Sequence, residues 1–142
     1  MEQDCTLLNH IRKETEMGVV GICAVLSKAD NPALHTALQE QLQEYRIIHN
    51  SADSLLAQKN GKPVNLNPLA KTCARLASSM RIPSQDATSK IAQMMIEGNT
   101  KGMVKSIRDQ HKAQNISRPV SELSEKLLQT ELHNIEQMKP FL

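Results

Sequence analysis

Four glutamates, Glu14, Glu44, Glu97 and Glu131, are the residues whose type and spacing could do metal chemistry in this chain. A di-metal carboxylate centre in a helical bundle takes one Glu from each of two helices and a Glu-x-x-His pair from each of the other two. The i, i+3 spacing puts both side chains of a pair on one helix face, so both reach the same metal. Here the residue three after Glu44 is Ile47, and the residue three after Glu131 is Asn134. All four glutamates are present and both histidines are missing. Carboxylates alone suit hard, oxygen-preferring cations such as Mn²⁺ or Ca²⁺ and are poorly suited to tuned di-iron oxygen chemistry. No cofactor is therefore expected, and Mn or Fe is the metal such a layer would take. The favoured reading is a buried polar network of Glu14, Gln41, Tyr45, Glu131 and Asn134 that fixes helix register. Tyr45, Gln41 or Asn134 would donate to a glutamate. A second set is His10 and Glu14, spaced i, i+4, with His49 expected at the level of His10. Two imidazoles and a carboxylate could hold a transition metal, but both histidines are expected to face solvent, as are His35, His111 and His133.

No other catalytic pattern is present. There is no Gly-x-Gly-x-x-Gly or Walker sequence, and no Ser, His and Asp set in the turn context of a nucleophile. Gly98 and Gly102 fall in mid-helix, where small residues would permit close helix approach. No catalytic residue is assigned.

The elements that must position these groups follow from periodicity. The chain has 142 residues, one Phe, one Tyr and no Trp, so its apolar content is aliphatic and favours helix over sheet. The first helix is expected from about Asp4, as its N-cap, to Ser27, with Leu7, Ile11, Glu14, Gly18, Ile22 and Val25 on one stripe. Asn31 and Pro32 cap and open the second, which carries Leu34, Leu38, Gln41, Tyr45, Ile48, Ala52 and Leu55 at heptad spacing. A third begins after Pro83-Ser84-Gln85-Asp86 and shows two apolar faces. A fourth opens at Ser117-Arg118-Pro119, with Val120, Ser124, Leu127, Glu131, Asn134 and Met138 in its seam. Few residues join the first and second helices, or the third and fourth, so each pair is an antiparallel hairpin. About 25 residues separate the hairpins, the length of one long crossover. Leu69, Cys73, Leu76 and Met80 predict a short extra helix within it. The expected fold is an all-α, ferritin-like four-helix bundle forming one domain over residues 1–142.

Several segments resemble an uncharacterised bacterial ferritin-like family related to the DUF2383-type domains. They are Met17-Gly18, Glu44-Tyr45, the run from Ile96 to Gly102, and the run from Thr130 to Leu142. The resemblance implies the bundle and carries no activity with it.

Composition bounds the function. The formal net charge is +2, and no run approaches the roughly 20 apolar residues of a membrane span. The acidic start Met1-Glu2-Gln3-Asp4 is unlike a signal peptide. Three cysteines, Cys5, Cys23 and Cys73, lack metal-site spacing and suit a reducing cytoplasm. The leading reading is a non-catalytic helical module that self-associates as a dimer or larger, with the third helix in the contact, or binds a partner. The alternative is a metal-binding or redox protein using the glutamate layer. A weaker one is anionic-surface or nucleic-acid binding through Lys59, Lys62, Lys71, Arg75 and Arg81, which have no acid among them from Ser54 to Gln85. Without stacking aromatics, nucleic acid is not an expected partner.

Overall fold

A computed structural model of the chain describes residues 2–59, 75, 82 and 85–142. The short helix expected near Pro68 to Met80 therefore lies outside the described residues, as does Cys73. Four helices are seen: α1 (Glu2–Leu26), α2 (Pro32–Gln58), α3 (Ala87–Lys112) and α4 (Arg118–Met138), followed by a 3₁₀ turn at Lys139–Phe141. Among the described residues there is no strand. The expected boundaries differ from these by one or two residues.

Local chemistry accounts for most of the ends. The Asn31 side chain accepts the N–H of Leu34 at 3.0 Å, and Pro32 occupies the first helical position, where a missing N–H costs nothing. Asp86 adopts a left-handed conformation, φ 62°, just before α3 begins. Asp4 is a correction: it lies inside the first turn of α1 rather than capping it. Its buried carboxylate takes the Lys59 ammonium at 2.8 Å and the backbone N–H of Ser117 at 2.9 Å. Burial alone would push this carboxyl up, but Lys59 and Ser117 outweigh it and bring it down to about 2.

Those contacts also fix the topology. The start of α1, the end of α2 and the start of α4 meet at Asp4, and the backbone of Gln114, just after α3, donates to Gln3 at 2.8 Å. So α1 and α4 run away from this end while α2 and α3 run toward it. The end of α2 and the start of α3 therefore lie at opposite ends of the bundle, as in ferritin-like connectivity. Each hairpin packs within itself, and the two hairpins meet α1 on α3 and α2 on α4.

The core is aliphatic. Leu8, Val25, Leu34, Leu38, Ile48, Ala52, Ile91, Ala92, Val120 and Met138 are fully enclosed. Burying the Leu, Ile, Val and Met side chains among them contributes about 1.5–3 kcal/mol each, which offsets the entropy of ordering the helices. Toward its middle the core turns polar. Gln41, Asn99, Ser106, Glu131 and Asn134 are all buried there.

Candidate functional site: a cleft between α1 and α3

Small residues on facing helices leave a gap that larger ones would close. Gly18 and Gly21 on α1 and Gly98 and Gly102 on α3 line a half-open cleft of about 410 Å³. The four glycines play two different roles. A Cβ on Gly18 would stand 2.7 Å from the Tyr45 ring, and one on Gly102 would overlap Glu131 Oε2. A Cβ on Gly21 or Gly98 would meet nothing within 4 Å. Gly98 is therefore not a close-packing glycine as its mid-helix position suggested; it borders open space. Gly102 makes room for a carboxyl group and not for a neighbouring helix.

Two of the four sequence-predicted glutamates meet at this cleft. Glu131 on α4 is only 3% exposed, and its Oε1 accepts the Ser106 hydroxyl at 2.7 Å. Glu14 on α1 pairs with Lys105 at 3.0 Å, and its Oε2 would lie 3.5 Å from a Cβ on Gly102, the position that Glu131 Oε2 also crowds. Burial, and then the nearby Glu14 charge, push the Glu131 carboxyl up to about 8 against the pull of Ser106. Glu131 is thus a neutral acid at pH 7. Burial and then the Glu131 charge also hold the Tyr45 phenol above its ordinary range, so it stays protonated.

The other two glutamates lie elsewhere. Glu44 faces Lys126 at 3.4 Å on the α2–α4 side, and Glu97 is exposed, accepting from Gln93 at 2.9 Å. The histidine trio is not assembled either. His10 faces Asp109 at 3.5 Å, whereas His49 sits between the Thr15 hydroxyl at 3.1 Å and Asp53 at 3.5 Å. Asp53 also pairs with Arg12. Thr15, His49 and Asp53 together have the residue types of a nucleophilic triad. The Thr15 hydroxyl, however, is buried and faces the carbonyl oxygens of Ile11 and Arg12, so it is poorly placed for attack. Among the described residues, no group of three or more His, Cys, Asp and Glu could hold a metal ion.

A polar network does form beside the cleft, with different bonds from those expected. The Tyr45 hydroxyl donates to Asn99 Oδ1 at 2.7 Å, and Asn134 Nδ2 lies 3.3 Å from both Tyr45 Oη and Asn99 Oδ1. Asn99 in turn donates to the Met95 carbonyl at 2.7 Å. Gln41 donates to Gln137 at 2.9 Å. Tyr45 and Asn134 therefore bond each other and Asn99 on α3, and Gln41 bonds Gln137 on α4, while the glutamates take their donors, Ser106 and Lys105, from α3. Sequence reasoning missed Asn99, Ser106 and Lys105 because it treated α3 as an apolar helix. Asn99 and Ser106, seven residues apart on one face of α3, were the available signal. Gln41 Oε1 and Asn134 Oδ1 are buried without a hydrogen-bond partner among the described residues, a cost that an apolar core would not carry.

The fold has a solved counterpart. The crystal structure of a DUF305 fragment from Deinococcus radiodurans is similar to this chain with a TM-score of 0.75 at 12% identity, covering 99% of this chain and 95% of that one. At that identity the likeness shows the fold alone: an all-α bundle of an uncharacterised helical type. The counterpart carries the DUF305 label and not the DUF2383 label suggested by the sequence resemblance. No family model matches the chain, and no curated protein matches it.

Proposed function

We propose that the protein is a non-catalytic helical binding module that receives its ligand in the cleft between α1 and α3. The observation that carries this reading is the pair Gly21 and Gly98, which border open space on facing helices and line the same cleft. Mid-helix glycine is unfavourable by roughly 1 kcal/mol relative to alanine, so two of them holding a cleft open is a cost without structural return. A half-open cavity with apolar walls and a few convergent polar groups, one of them with a displaced pKa, is the usual form of a small-molecule site.

The test is to fill the cleft. Gly21→Leu/Gly98→Leu should bind the dye 1-anilinonaphthalene-8-sulfonate at least roughly fivefold more weakly than the wild type by fluorescence titration. Its helicity should be unchanged and its melting temperature no lower, since leucine is the better helix former. Equal dye binding by the filled variant would overturn the reading.

Self-association as a dimer or larger is part of the proposal, with α3 in the contact. In support, Val104 on α3 is 41% exposed and is flanked by half-buried Met103 and Ile107. Sedimentation equilibrium should give at least twice the 15.8 kDa chain mass at micromolar concentration; a monomer would refute this part. A cytoplasmic setting is supported by the two free, half-buried thiols of Cys5 and Cys23. Kinship with DUF2383-type domains rests on the quoted sequence segments and the shared bundle. Binding of Mn or Fe is the alternative; it has less support because only Glu14 and Glu131 of the four glutamates converge and no imidazole joins them. No helix is long and apolar enough to cross a membrane among the described residues.

A further inference from the structure

We propose that the α1–α3 cleft binds a small monocarboxylate with an apolar tail, its charged head among Lys13, Lys101 and Lys105 and its tail between Gly21 and Gly98. This rests on the binding-module reading above and adds the chemical class of the ligand.

The cleft is polarised along its length, which follows from helix direction. On α1 the lining residues run Lys13, Glu14, Met17, Gly18, Gly21, Ile22; on α3 they run Met95, Gly98, Asn99, Lys101, Gly102, Lys105. Because α1 and α3 are antiparallel, Lys13 and Glu14 lie toward the Lys101–Lys105 end of α3. Gly21 and Ile22 lie toward Met95 and Gly98. One end of the cleft is charged and the other is apolar, the footprint of a short amphiphile.

The sign of the head group follows from the charge count at the polar end. Lys105 is matched by Glu14 at 3.0 Å. Neither Lys13 nor Lys101 makes an ion pair among the described residues, so two positive charges line this end unopposed. Glu131 does not cancel them. The groups acting on it are Glu14 from α1, Tyr45 from α2 and Ser106 from α3, with Lys101 and Lys105 lining the same cleft, and burial keeps it protonated near neutrality. With Oε1 committed to Ser106, the acid proton on Oε2 is a donor for a carboxylate oxygen at the cleft floor. An ammonium head would meet three lysines there against one carboxylate, Glu14, which Lys105 already matches, and a neutral acid. The volume, about 410 Å³, lies within the roughly 300–1,000 Å³ of small-molecule sites.

Calorimetric titration of the full chain with octanoate, octylammonium and 1-octanol tests the proposal. Octanoate should bind roughly tenfold tighter than octylammonium, and Lys13→Gln/Lys101→Gln should remove roughly that tenfold while leaving 1-octanol unaffected. Both lysines are exposed, so the double variant should fold. Gly21→Leu/Gly98→Leu should weaken octanoate and 1-octanol alike. Octylammonium binding as tightly as octanoate, octanoate indifferent to the lysine substitutions, or octanoate failing to bind would each overturn the carboxylate assignment. If 1-octanol still bound the wild type and not the filled variant, the cleft would survive as a binding site of another class. If filling the glycines changed no probe's binding, both readings would fall together.

Discussion

Replacing Glu131 with Gln is expected to stabilise the fold by about 4 kcal/mol at pH 8 and to change it little near pH 4. In the folded protein this carboxyl titrates at about 8, against 4.5 for a solvated glutamate. Its folded pKa is raised, so the stability it contributes is fully present below pH 4.5 and drains away as pH rises toward 8. An amide carries no charge to desolvate at any pH. It keeps the acceptor for Ser106, and it offers an N–H toward Glu14. Asp4 sets the opposite limb. Its pKa falls from 3.8 to about 2, so its contribution is present above pH 3.8 and is lost as pH drops toward 2. The wild type should therefore be most stable between these limbs, near pH 4–5. Thermal melts from pH 3 to pH 9 would show Glu131→Gln flattening only the alkaline limb, and Asp4→Asn melting lower above about pH 4 and so flattening only the acid limb. Parallel wild-type and Glu131→Gln profiles above pH 5 would show that Glu131 is solvated, and the account of the cleft floor would fail.

Gly102→Ala is expected to destabilise the protein by about 2–4 kcal/mol, against the direction that helix propensity dictates. On an isolated helix the change would gain about 1 kcal/mol. Here the new methyl would overlap Glu131 Oε2 and approach its Cδ to 3.1 Å, and Glu14 Oε2 stands 3.5 Å away on the other side. The carboxyl must leave its place, abandon the Ser106 hydroxyl and seek another position in a packed interior. Gly98→Ala, one turn away with nothing near its Cβ, should show the propensity gain alone. Urea unfolding of the two variants separates the effects, and Gly102→Ala/Glu131→Ala should recover much of the loss by removing the group that clashes. Equal stability of Gly102→Ala and Gly98→Ala would mean that Glu131 does not occupy the notch.

Much of the architecture was legible without coordinates because it rests on local chemistry. Aliphatic residues at heptad spacing can only bury themselves by pairing helices, and Asn31-Pro32 and Ser117-Arg118-Pro119 mark helix starts by the φ and the missing N–H of proline. Unequal loop lengths dictated two hairpins and one crossover, and the contacts of Asp4 and Gln3 at one end of the bundle agree with it. The sequence also identified Glu14, Gln41, Tyr45, Glu131 and Asn134 as unusual, since polar groups on an inward stripe cost energy unless something meets them.

What met them was decided only in three dimensions. Helical periodicity tells which face a residue occupies but not its axial level against a partner helix, and one turn of register, about 5.4 Å, exceeds hydrogen-bond reach. That uncertainty hid Ser106 and Lys105 as the partners of Glu131 and Glu14. It also left undecided that Glu44 and Glu97 would fall outside the cleft. A mid-helix glycine looks the same in sequence whatever the opposite helix places against it, and Gly98 and Gly102 were expected to serve one packing role. Whether a missing Cβ is filled by a phenol ring at Gly18, by a carboxyl at Gly102, or by nothing at Gly21 and Gly98 depends on the helix opposite. The cleft exists through that difference, and no property of a single helix encodes it.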